Sequence, residues 1–143
     1  MKISEMQILV IFSKEREKEK LVMCAVLAGL ICKGANIHFV KDDREGREII
    51  SSPHRSFDIL FIEEELFSSR QSIYKLTANS RTKPNVVLVK FSSDCKPIGV
   101  YKSDDGFDAE ICIHRVNDGL SDNCLREEIE EKLIPKLFPE EGL

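Results

Sequence analysis

Apolar and polar positions along this chain follow two periods, and the switches between them mark five strand-then-helix units. Gln7–Phe12 (Q-I-L-V-I-F) is an unbroken β-branched and apolar run, the pattern of a strand buried on both faces. A mixed-charge stretch, Lys14–Lys20, leads into the longest apolar run, Leu21–Cys32. Together they predict a first helix with Gly34 as its C-cap. Asn36–Val40 reads as a second strand, and Asp43–Ser52 as a short helix stopped by Pro53. Phe57–Ile62 (F-D-I-L-F-I) is a third strand running directly into three glutamates, Glu63, Glu64 and Glu65. Ser69–Asn79 has a modest helical pattern, Asn85–Val89 is a fourth strand and Ala109–His114 a fifth. Ser92–Asp105 holds Pro97, Gly99 and several Ser and Asp residues, so an irregular or poorly helical segment is expected there. Ser121 or Asp122 caps a last helix carrying Leu125, Ile129, Leu133 and Ile134 at helical spacing.

Strands separated by helical segments imply right-handed crossovers and a parallel sheet with helices on both faces. The expected class is therefore α/β, a doubly wound five-stranded parallel sheet. At 143 residues, against roughly 150 per domain, one domain is expected over 1–143, with a core of about 6–138 and a short C-terminal tail.

Composition narrows the function classes. Hydrophobic residues make up 42% of the chain, charged residues 32%, and the net charge is −4. A sequence-independent nucleic-acid binder is normally basic, so no nucleic-acid partner is expected. The twelve-residue apolar run falls short of the ~20 residues that span a bilayer, and no membrane partner is expected either. The start, Met-Lys-Ile-Ser-Glu, lacks the charged-then-apolar layout of a signal peptide, which leads to the expectation of a cytoplasmic chain. Cys24, Cys32, Cys95, Cys112 and Cys124 include no C-x-x-C pair, so reduced, buried thiols are expected rather than a zinc site or a dithiol.

Several signatures of chemistry are missing. The loop after the first strand has no glycine, so neither a P-loop nor a dinucleotide fingerprint is present. No G-x-S-x-G elbow occurs, and His38, His54 and His114 have no metal-ligand spacing. No enzyme, cofactor or metal is nominated.

One pattern does fit. F-D-I-L-F-I-E-E-E-L (Phe57–Leu66) resembles the third strand and following turn of response-regulator receiver domains, close to F-D-L-V-L-M-D-x-x-M-P. G-F-D-A-E-I (Gly106–Ile111) is similar to the approach to their fifth strand, and Q-I-L-V-I-F to their first. The order of elements matches over roughly residues 6–138. The resemblance implies a flavodoxin-like (βα)5 fold and a place in two-component signal transduction.

It also implies five site positions, and none holds the usual residue. The magnesium-holding acidic pair falls on Phe12 and Ser13, and the phospho-acceptor aspartate on Glu63. The hydroxyl position falls on Val89 or Lys90, with Ser92 a few residues late. The lysine falls on Ile113, with His114 beside it. Magnesium wants several oxygen ligands, and Phe12 removes one. Without metal and lysine, phosphoryl transfer loses its electrostatic help. The chain is thus expected to be a degenerate pseudo-receiver acting by protein–protein contact with a signalling kinase, regulator or effector.

Glu63 has two readings: an exposed carboxylate mimicking a phosphoryl charge, or a solvated acid in an acidic turn. His114 is a partial substitute for the lysine or a surface histidine. Lys14–Lys20 reads as a solvated helix start. The first helix, apolar on every side, is expected to expose a patch drawn from Met23, Leu27 and Leu30, a surface for a homodimer or a hydrophobic partner with Cys24 and Cys32 near the seam. The alternative class is a small flavodoxin-like ligand-binding domain or enzyme, with an unrecognised site at the carboxyl rim of the sheet.

Overall fold

The computed structural model describes residues 2–13, 15–40, 42–52, 55–66, 83–91, 99–103, 106–113 and 125–139. Six strands form one sheet: β1 (Gln7–Ile11), β2 (Asn36–Phe39), β3 (Ile59–Glu63), β4 (Asn85–Phe91), β5 (Gly99–Tyr101) and β6 (Ala109–Ile113). Their order is β2-β1-β3-β4-β6-β5. Every neighbouring pair is parallel except β5–β6. The parallel strands thus follow the order β2-β1-β3-β4-β6, consistent with a flavodoxin-like sheet.

The expected five strands become six. β5 lies inside the segment expected to be irregular and pairs antiparallel with β6, Val100 opposite Ile111. Three residues are too few for an alternating pattern, and the nearby Pro97 and Gly99 read as breakers. The turn leading on to β6 is held by the Phe107 N–H donating to Ser103 Oγ at 3.3 Å, with Gly106 at a φ of +86°.

The first helix is two. α1 (Glu17–Val26) and α2 (Ala28–Cys32) meet at Leu27, whose φ of −90° and ψ of 2° interrupt the helical run. α2 ends as expected on Gly34, at a φ of +98°. The Ala35 N–H reaches the Leu30 carbonyl and the Gly34 N–H that of Ile31, the paired bonds of a Schellman cap. Only glycine adopts that left-handed φ without steric cost.

α3 (Asp43–Ile50) starts on Asp42, whose Oδ1 accepts the Glu45 N–H at 2.9 Å. Gly46 lets α3 lie against β1, because a Cβ there would come within 2.8 Å of the Ile11 side chain. The C-terminal helix is described over residues 125–137, with a π-helical turn at Ile129–Leu133. Pro135 follows this turn; it lacks an N–H and crowds the carbonyl four residues back, and the widened turn absorbs the misfit. The expected Ser69–Asn79 helix lies outside the described residues.

Alternate strand residues feed two cores. Ile8, Val10, Ile59, Phe61, Val87, Val89 and Ile111 pack with Val22, Met23, Leu27 and Leu30, and with Leu125, Ile129 and Leu133 of the C-terminal helix. Leu9, Ile11, Leu60, Ile62 and Leu88 point the other way, toward Ile50 of α3, Phe57 and Phe107. Strands buried on both faces explain the continuous apolar runs.

The proposed exposed patch is corrected here. Met23, Leu27 and Leu30 are 0–1% exposed and belong to the core. Leu21 (69% exposed) and Ile31 (45%) face outward instead. Residues 23, 27 and 30 share the face toward the sheet, and 21, 24, 28 and 31 the opposite face, as helical geometry requires. An all-apolar run contains no polar residue to reveal which side is which.

Candidate functional site

In an open parallel sheet the carboxyl ends of the strands form one rim, and a crevice opens where successive connections leave in opposite directions. Here that point lies between β1 and β3, since β2 flanks β1 on one side and β4 flanks β3 on the other. Phe12 and Ser13 follow β1, and Glu63 is the last residue of β3.

An ion pair lies at this point of the rim. Glu63 is fully buried, which corrects the reading of it as an exposed or solvated acid. The Ser13 N–H donates to its Oε2 at 2.8 Å, and Arg16 Nε donates to its Oε1 at 2.6 Å. Each carboxylate oxygen therefore receives its own donor. Arg16 is held in place by its own N–H to the Ser13 carbonyl at 3.0 Å and by Nη1 to Glu19 Oε1 at 3.4 Å. A buried carboxylate lacking such partners would be very costly, so arginine and glutamate here require each other.

A second network lies on the other face of the sheet. Lys90 Nζ is 3.4 Å from Glu64 Oε2 and 3.4 Å from Glu110 Oε2. Glu110 is buried in β6, where its register partner is Leu88 of the opposite core. Burial works to lower the Lys90 pKa, but the Glu110 and Glu64 carboxylates outweigh it, and the ammonium is held above its ordinary 10.5. The lysine serves these two acids, while Glu63 takes its cation from Arg16.

The remaining receiver-like positions are apolar wall. Phe12, Val89 and Ile113 are buried in the core that faces α1. Val89 and Lys90 lie within β4, which runs two residues beyond its expected end. His114, Ser92 and His54 lie outside the described residues. Among the described residues no three His, Cys, Asp or Glu side chains converge as a metal site. No helix among them is long and apolar enough to cross a membrane. Cys112 is buried as expected and Cys24 half-buried, while Cys32 is exposed, against the expectation of buried thiols; Cys95 and Cys124 lie outside the described residues. Burial pushes the Cys24 thiol up, and the nearby Lys20 charge partly opposes this.

Sequence reasoning missed Arg16. Inside the charged stretch Lys14–Lys20 it reads as a solvated side chain. The signal available was its place in the loop after the first strand, which a parallel sheet sets beside the end of the third.

Compared with protein-family models, with curated proteins and with solved structures, the chain matches none.

Proposed function

We propose that this chain is a non-catalytic pseudo-receiver: a doubly wound, receiver-like signalling module of the cytoplasm that works by protein–protein contact and without phosphorylation. The observation that carries this reading is the state of Glu63. It stands at the position matched to the phospho-acceptor, at the crevice where sheets of this order take their ligands, and both its oxygens are engaged. A buried carboxylate bonded to a guanidinium is a poor nucleophile and is not free to ligate magnesium. Arg16 supplies the positive charge that the receiver pattern assigns to lysine, so Glu63 with Arg16 resembles a fixed state rather than a switch. Leu21 and Ile31, exposed on the first helical segments, are the apolar positions through which a partner or a second copy makes contact.

The test is exposure of the full chain to acetyl phosphate with magnesium, read by intact mass, beside thermal-shift runs with FMN and nucleotides. An unchanged mass and no thermal shift are expected. Gain of one phosphoryl group overturns the reading. A clear shift with FMN or a nucleotide favours the ligand-binding alternative.

A further inference from the structure

A cavity of about 270 Å³ opens at the end of the sheet opposite the rim, beside the amino ends of β1 and β2. Its walls include Gln7, Asn36, His38, Arg55 and Phe57. The register pairs Gln7 with Asn36 and Leu9 with His38, and Leu9 faces the α3 core. Alternation then sets the Gln7, Asn36 and His38 side chains on that same face, next to Phe57 of that core.

Three of these polar groups are uncommitted. Among the described residues, the Gln7, Asn36 and Arg55 side chains have no hydrogen bond or ion pair; Gln7 and Arg55 bond through their backbones. The Arg55 guanidinium lies over the Phe57 ring, 5.8 Å from its centroid, which orients its planar fork while leaving its N–H groups unbonded. His38 is different: its Nε2 is 4.0 Å from Glu45 Oε1, so any charge it carries is matched locally. Among the described lining residues Arg55 is the one permanent cation, and it offers a fork of donors beside two amides that donate or accept.

We infer that this cavity is a binding site for a small monocarboxylate. One permanent cation, with the Glu45 and Asp58 carboxylates close by, favours a singly charged anion over a dianion. A guanidinium fork matches the two oxygens of a carboxylate bidentately, and the Gln7 and Asn36 amides complete the shell. The volume suits a molecule of a few heavy atoms, with the Phe57 ring beside its apolar part. This inference is independent of the Glu63 site, at the other end of the strands.

The test is a ¹H–¹⁵N NMR titration of the full chain with sodium acetate, sodium benzoate and sodium sulfate at constant ionic strength. Acetate and benzoate are expected to shift the amides of Asn36, His38 and Arg55 saturably, and sulfate is not. Arg55→Gln is expected to weaken carboxylate binding at least tenfold, and Asn36→Ala severalfold. Both residues are exposed, so spectra elsewhere remain unchanged. Linear, non-saturating shifts overturn the proposal. So does sulfate binding as tightly as acetate, or full affinity in the Arg55→Gln protein.

Discussion

Arg16 Nε lies 2.6 Å from Glu63 Oε1, tying the loop after β1 to the last residue of β3 across 47 positions of sequence. The parallel pairing of β1 with β3 makes this contact, because it sets the carboxyl ends of both strands side by side. Carboxylate and guanidinium neutralise each other at the place where sheets of this order otherwise receive a ligand.

Removing one partner of this pair is expected to be severe. Arg16→Met leaves Glu63 buried without its cation and should cost about 3–5 kcal/mol, read as a lower urea midpoint. Replacing both, Arg16→Met with Glu63→Leu, should recover most of that loss, since a well-packed apolar pair is often neutral or better. A double variant as unstable as the sum of the single ones would show that the pair is not coupled.

Lys90 gives a prediction in pH. Its folded pKa is raised, so its contribution is fully present below the unfolded value and is lost as pH rises through the folded one. Lys90→Met should cost about 1–3 kcal/mol near neutral pH, because Glu110 loses its ammonium inside the fold. The gap between wild type and variant should close in denaturation series carried above pH 10.5. A gap that stays constant would remove Lys90 as its source.

The thiols should react in a fixed order. Thiolate is the nucleophile, and Cys24 is pushed up by burial, so among the three described thiols exposed Cys32 is expected to alkylate first with iodoacetamide. Cys24 should follow only at higher pH, and buried Cys112 only on unfolding. Peptide mapping over time reads the order, and early labelling of Cys112 would contradict its burial.

Much of the sheet was legible in the sequence, because Ile8–Ile11 and Ile59–Ile62 are short apolar runs rich in β-branched residues, which fit strands buried on both faces. The edge strand β5 was not, since its three residues carry no period. The site was legible only in part. Glu63 stood out at the end of a strand, but its burial depends on Arg16, and that pairing appears only once β1 is known to lie beside β3. A charged residue in a charged run looks solvated until the topology supplies its partner.

The last prediction concerns the face of the first helical segments. Leu21 and Ile31 lie on one side of α1 and α2, with half-buried Cys24 and Ala28 between them, while Met23, Leu27 and Leu30 fill the core. The two sets should respond oppositely to substitution. Met23→Ala removes a fully buried side chain and should cost about 2–5 kcal/mol, whatever the protein binds. Leu21→Glu with Ile31→Glu alters only exposed positions and should leave stability within about 0.5 kcal/mol per site. If this face meets a second copy, the wild type should show concentration-dependent sedimentation and the double glutamate variant should remain a folded monomer. The contact is expected to be weak: two exposed side chains cover far less than the roughly 800 Å² per partner of a stable interface. Concentration dependence that survives in the variant would move the association to another surface. A wild type that stays monomeric throughout the range would leave the stripe to a different protein, and would remove self-association from the proposed function.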